Sequence, residues 1–341
     1  MFVAATIAKA RPPQRGRRRR IVIVFALVAA ALVALDYFAF PYGRPIAGLS
    51  ANRGENGVWL EYTWYFGRHS AAEEKTLALR LRANQIRYAY FHVRFIKPSG
   101  RLHFRYPDEA RRLVATLHQE APGVKILAWV FAGNAQSGQG RVNLADPAVR
   151  RQMAAEARWL TTVCGFDGVQ WDYELCPDND SDFLALLRET RAVLPPGGAR
   201  LSVAAPMWVP PGPLRAFGWS EAYFSRVAAL TDDMAVMGYD SALWLPRAYV
   251  YLMREQAVRV TRAVAASPNP RCRILIGVPT YEATWSHRPH AESLPFALRG
   301  VREGLADPAA RPEAFAGIAL FADYTTDAAE WRTYRELWLD Q

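Results

Sequence analysis

Cysteine is scarce: Cys164, Cys176 and Cys272 are the only three in 341 residues. An odd count with no C-x-x-C pair excludes a disulfide framework and a cysteine-built zinc site. Cys164 and Cys176 flank an expected strand whose extended residues hold its ends roughly 25 Å apart, far beyond the ~7 Å that a disulfide spans. Histidine is equally thin, with six residues. His287 and His290 form an H-x-x-H pair with no adjacent Glu, which argues against a metal site, and no metal or cofactor is expected. No strand candidate is followed by a G-x-G-x-x-G turn, which weakens any dinucleotide-binding reading. Lysine supplies only Lys9, Lys75, Lys97 and Lys125 among 42 basic residues, a bias that fits GC-rich coding. Acidic residues are absent from residues 1–20, where Lys9, Arg11, Arg15, Arg17, Arg18, Arg19 and Arg20 lie. Setting those seven aside leaves 35 basic against 32 acidic residues, so a chain of formal charge +10 has a body of only +3. The basicity belongs to the tail, and a nucleic-acid partner is not expected.

The tail runs straight into an apolar segment. Residues 21–35, IVIVFALVAAALVAL, carry no polar side-chain atom. At about 1.5 Å per helical residue they cover roughly 22 Å, short of a bilayer core of about 30 Å. Extension through residue 40 reaches the full span, with Asp36 near the far interface and Tyr37, Phe38, Phe40 and Tyr42 as an aromatic belt. The expectation is a cytoplasmic tail (1–20), a transmembrane signal-anchor contacting lipid (21–40), a Gly/Pro/Asn-rich linker (41–56) and an extracytoplasmic body (57–341). A cleaved signal peptide, ending near Ala29-Ala30-Ala31, is the rival and would make the body secreted.

From residue 57 on, short apolar runs alternate with helical patterns. Strands are expected at 57–62, 87–93, 124–131, 167–174, 200–206, 233–240, 273–279 and 316–322. Between them stand helix starts: the capping boxes Ser70–Glu73 and Asp327–Glu330, and Asp146 followed by Pro147. Eight strand–helix repeats in about 280 residues match a closed (β/α)8 barrel, a single α/β domain of the TIM type, with an open doubly wound sheet as the alternative. A monomer is expected.

A buried parallel strand reads as continuous apolar residues. The fourth strand instead carries Gln170, Asp172 and Glu174 at spacing two, which puts all three on one face and Val169, Trp171 and Tyr173 on the other. In a barrel the polar face is the lumen, and Asp172 and Glu174 fall at its C-terminal mouth, where barrel enzymes keep their active sites. Two carboxylates enclosed together raise at least one pKa, as a general acid requires. The sixth strand ends in Met237-Gly238-Tyr239-Asp240, with Met237 and Tyr239 sharing a face. Trp64, Tyr65, Trp208, Trp244, Tyr281 and Trp285 lie in segments on the same side, as an aromatic rim for sugar rings would.

Asp167-Gly-Val-Gln170-Trp-Asp172-Tyr-Glu174 resembles the DGxDxDxE signature of glycoside hydrolase family 18, the chitinase and endo-β-N-acetylglucosaminidase group. Met237-Gly-Tyr239-Asp240 is similar to its MxYD motif, and LSVAAP and IGVPTY resemble its fifth and seventh strands. The resemblance covers roughly residues 57–338. It implies a retaining hydrolysis of β-linked N-acetylhexosamine glycans in which the sugar's own acetamido oxygen attacks C1. On that likeness Glu174 is the acid and later the base. Asp172 holds the acetamido N–H, Tyr239 bonds the attacking carbonyl, and Gln170, Met237, Asp240, Tyr281, Trp208, Trp285, Phe321 and Tyr62 contact the glycan. Two departures stand out. Gln170 replaces the first Asp of DxDxE, although an amide there can still bond Asp172, and Phe321 stands where the family usually carries Trp. A glycan-binding barrel that has lost catalysis through Gln170 is the second reading.

Overall fold

The computed structural model describes residues 15–39, 51–134 and 140–339. It divides into an N-terminal unit, Met1–Pro41, and a second unit, Tyr42–Gln341. In the first, helix α1 runs Arg15–Ala39 with its described apolar side chains exposed, Ile21, Phe25 and Leu32 among them. Among the described residues no helix is long and apolar enough to cross a membrane. The uninterrupted apolar run is residues 21–35, and the extension on which the expected span depends reaches residue 40, outside the described residues. Most of the expected linker, residues 41–50, also lies outside them.

The second unit is a closed barrel of eight strands in sequence order, β1 to β8. The strands are Asn56–Leu60, Ile86–Phe95, Lys125–Gly133, Gly168–Glu174, Arg200–Ala205, Asp233–Val236, Arg273–Pro279 and Phe315–Phe321. Every neighbouring pair is parallel, including β1 with β8. A short helix α2 (Tyr62–Tyr65) comes after β1, and then one main helix after each strand. These are α3 (Ala71–Ala83), α4 (Pro107–Glu120), α5 (Pro147–Thr162), α6 (Ser181–Val193), α7 (Glu221–Ala228), α8 (Pro246–Ala265), α9 (Leu294–Leu305) and α10 (Ala328–Tyr334). The starts obey the expected chemistry. Ser70 and Asp327 form complete capping boxes with Glu73 and Glu330, and Asp146 accepts from the Ala148 N–H ahead of Pro147 at the first turn.

Alternation along the strands separates two cores. Val169, Trp171 and Tyr173 join the layer between strands and helices, where Trp171 donates to Thr190 Oγ1 on α6 at 3.2 Å. Trp59, Tyr90, Leu127, Trp129 and Leu275 fill the lumen instead. The expected sixth strand overshoots, because β6 ends at Val236 rather than continuing to Asp240. The chain turns there through positive φ at Asp240 and Ala242. Gly238 allows the close approach, since a Cβ on it would stand 2.5 Å from the Gly277 carbonyl oxygen. All three cysteines are free and buried.

Candidate active site

The polar face of β4 lies in the lumen and is held from three sides. Gln170 is fully buried. Its Oε1 accepts from Trp59 Nε1 on β1 at 2.8 Å, and its Nε2 donates to Ser202 Oγ on β5 at 3.2 Å. Ser202 donates onward to Asp233 Oδ1 at 2.5 Å, and Arg200 donates to the other oxygen of Asp233. A bonded ladder thus runs from mid-lumen to the bottom of the barrel. Both ends of the Gln170 amide are engaged in it, so the expected Gln170–Asp172 hydrogen bond is not made.

Asp172 is 3% exposed. Its Oδ2 accepts from Trp129 Nε1 on β3 at 2.8 Å, and its Oδ1 has no partner. Burial, and next the charge of Glu174, push this carboxyl well above the ordinary range, while the Trp129 hydrogen bond opposes them. Glu174, the last residue of β4, is open to the mouth. Its pKa is also raised, by partial desolvation first and then by Asp240. Two acids with elevated proton affinity at one strand end can hold a proton near neutral pH, which is what protonation of a leaving group needs.

Tyr239 faces them. Burial raises its hydroxyl pKa, followed by the charges of Asp172, Tyr281, Asp240 and Glu174, and among the described residues the hydroxyl makes no hydrogen bond. Its ring stacks on Phe321 with centroids 4.5 Å apart and meets Tyr281 edge-on at 6.0 Å. Phe321 also touches Trp59 and Trp129 edge-on, so it occupies the centre of the aromatic floor. The Tyr281 hydroxyl lies near Asp240 without hydrogen-bond geometry and is buried without a partner. Behind it His287 Nε2 meets the Tyr281 carbonyl at 3.1 Å and Nδ1 faces Glu292 at 3.5 Å, so this histidine braces the Tyr281 loop. Ser286 donates to Asp240 at 2.7 Å. From Glu174 a cleft of about 260 Å³ runs past Met237, Tyr239 and Asp240 towards Met207 and Phe217.

The structure gathers Glu174, Asp172, Tyr239, Met237, Asp240, Tyr281 and Phe321 into one mouth, with Gln170 buried beneath it in the lumen. Of the expected aromatic rim, Tyr281 lies in the mouth and Trp244 and Trp285 stay exposed on the loops after β6 and β7, whereas Trp64, Tyr65 and Trp208 are taken into packing. Tyr65 is fully buried, and Trp64 stacks on His69. The Trp208 backbone is clamped by Gln256 of α8 and its ring lies beneath Arg259, which turns it to the helix layer. Tyr62 packs on Phe66 under Arg94, at the β1–β2 side of the mouth. Trp285 is 87% exposed, and Trp244 lies under Arg288. Trp129, His92, Ser202 and Phe217 are the site residues that the motifs did not announce. The first three sit at inward positions of their strands, and that parity is the signal that could have found them.

No family model matches the sequence, and no curated protein matches it. Solved structures match the architecture. The spore cortex-lytic enzyme SleL of Bacillus cereus superposes with a TM-score of 0.55 at 13% identity, covering 83% of this chain and 74% of that one. A chitinase from Chromobacterium violaceum gives 0.55 at 16% identity, with 84% and 99% covered. A class V chitinase from Pseudomonas fluorescens gives 0.55 at 15%, with 82% and 98% covered. This is the fold of the family 18 chitinases. At these identities the likeness is one of architecture.

Proposed function

We propose that the chain is a glycoside hydrolase that cleaves β-linked N-acetylhexosamine glycans with retention, using the substrate's acetamido group as nucleophile. The observation that carries this reading is a convergence of unsatisfied polar atoms. Asp172 Oδ1 is buried with no protein partner among the described residues, the Tyr281 hydroxyl lies near Asp240, and Tyr239 faces both; buried polar groups are normally satisfied. A ligand offering both a donor and an acceptor fits that set, as an acetamido group does. Asp172 would take its N–H, Tyr239 would donate to its carbonyl oxygen, and Phe321 would lie beneath the sugar ring. Glu174 would protonate the glycosidic oxygen and then deprotonate the water that opens the intermediate. A spore cortex-lytic enzyme and chitinases among the structural neighbours support a glycan substrate. The chain acts as a monomer in this reading.

The body is tethered to a membrane through α1, with the basic tail on the cytoplasmic side. The exposure of the apolar side chains of α1 supports this, since uncovered apolar surface is costly in water. Recovery of the full chain in the carbonate-washed membrane fraction is the expected result, and a soluble full-length chain would refute it.

The catalytic test compares the chain with its Glu174→Gln variant on a chromogenic N-acetylglucosamine oligomer. The variant is expected to lose at least about a hundredfold in kcat, the scale of general acid catalysis. Equal measurable rates would remove Glu174 as the acid, and no turnover by either would leave a glycan-binding barrel in place of an enzyme. A thiazoline mimic of the cyclised acetamido group should inhibit, and efficient cleavage of glycans lacking the acetamido group would contradict the mechanism.

A further inference from the structure

We propose that the end of β2 at the mouth is a subsite for a sugar residue bearing a carboxylate, so that the preferred glycan is anionic rather than neutral; this rests on the glycosidase reading above. The acidic centre is flanked there by cations. Arg94 stands where the β2–β3 register is interrupted between His92 and Phe95, with a positive φ of 71°. A register irregularity beside an active site re-aims a side chain, and strained backbone is kept where it serves a site. The re-aimed guanidinium lies 4.7 Å from the Tyr62 ring centroid and 5.9 Å from that of Phe95. Arg94 and Lys97 make no ion pair among the described residues.

Phe95, which Arg94 approaches, and Lys97 line a cleft of about 610 Å³ together with His103 and Arg141 among others, with no Asp or Glu among its described lining residues. Phe95 and His103 present rings with centroids 4.7 Å apart, a surface on which a sugar can stack. Two residues before Arg94 on β2, His92 lies on Trp129 with centroids 4.1 Å apart, and its buried Nε2 has no partner among the described residues. Burial, then the Arg94 charge, lower the His92 pKa to about 3, so it meets a ligand as a neutral donor or acceptor. Phe95 pairs with Phe131, and Phe131 with Asp172. At about 4.8 Å per strand that row places the flank roughly 10 Å from Asp172, one or two sugar residues from the acids. A neutral glycan gains nothing from Arg94 and Lys97, whereas a carboxylate gains charge-assisted hydrogen bonds.

The test is calorimetric binding to the full-length Glu174→Gln chain in detergent. The probes are a β-1,4-N-acetylglucosamine tetramer, a tetramer alternating with lactyl-ether (carboxylate) sugars, and the methyl ester of the latter. The carboxylate form is expected to bind about tenfold tighter than its ester at low salt, and the preference should shrink as salt rises. Arg94→Gln with Lys97→Gln should remove the preference, and Arg94→Glu should reverse it. Equal binding of acid and ester, or a preference that survives both substitutions, overturns the proposal. If the preference holds while the unsubstituted chain hydrolyses none of the oligomers, the flank stands and the hydrolase reading falls.

Discussion

Replacing Asp172 by Asn tests the electrostatics of the site through stability rather than turnover. The carboxyl is almost fully buried, receives one hydrogen bond and leaves Oδ1 alone. Its proton affinity is therefore higher in the folded barrel than in the unfolded chain. Between the ordinary carboxylate value and the raised folded value, the folded state keeps a proton that the unfolded state has released. The folded state is then the more protonated one, so stability falls as pH rises through that window. Each tenfold difference in proton affinity is worth about 1.4 kcal/mol.

Asp172→Asn keeps the shape, can still accept from Trp129 and carries no charge at any pH. It also puts an amide N–H2 where the lone oxygen stood, a fixed cost of about 1–3 kcal/mol if nothing accepts from it. That cost is the same at every pH, so the difference between variant and parent isolates the titration. From pH 4 to pH 8 the difference should move in the variant's favour by at least about 1.4 kcal/mol. Urea unfolding of the full chain at both pH values, monitored by tryptophan fluorescence, measures it. Kinetics in parallel should show at least about a hundredfold loss of kcat. A gain in stability at the expense of activity marks a residue kept for function. A pH-independent difference, or one that moves against the variant, would refute the burial argument.

Two further substitutions probe the supports of the same carboxylate. Trp129→Phe removes the one hydrogen bond that Asp172 receives among the described residues; since that bond favours the charged form, the acidic limb of the kcat/KM profile should move to higher pH by about one unit, read from rates between pH 4 and 9, and an unmoved limb would show that Asp172 does not govern it. Gln170→Asp restores the residue that the family motif carries but takes away the donor to Ser202, whose own proton is committed to Asp233; it should destabilise the barrel by about 1–3 kcal/mol in urea without raising kcat, and a gain in activity would mean that the ladder is not what holds Gln170.

The barrel was legible because its signals are local and repetitive. Strand–helix alternation, capping boxes and the period-two polarity of β4 each depend on neighbours in the chain, and all agree with the structure. Part of the rim was not legible, because the direction of a loop side chain is decided by what packs on it. Trp208 is turned away by Gln256 and Arg259 of α8, some fifty positions further along. Tyr65 is drawn inward by bonds to the backbone at Phe104 and Tyr106. Tyr281 did take its expected place, with His287 of its own loop holding it from behind. Loop aromatics are therefore weak pointers to a binding face, while inward positions on strands are strong ones.

Applied to Gln170, the same distinction changes what the departure from the family motif means. Judged along β4 alone, an amide at that position looks like the loss of a proton partner for Asp172. Across the barrel it is one rung of a ladder: it accepts from Trp59, donates to Ser202, and through Ser202 reaches the Asp233–Arg200 pair. A carboxylate could accept from Trp59 but could donate to Ser202 only while protonated. The pair Gln170–Ser202 therefore reads as one unit, with the amide oriented by its donors and acceptors and Asp172 left to Trp129 alone. The orphaned Oδ1 of Asp172 is then a consequence of the substitution rather than a defect beside it. It leaves in the mouth a buried carboxyl oxygen, unpartnered among the described residues, that can accept from a ligand when ionised and donate to it when protonated.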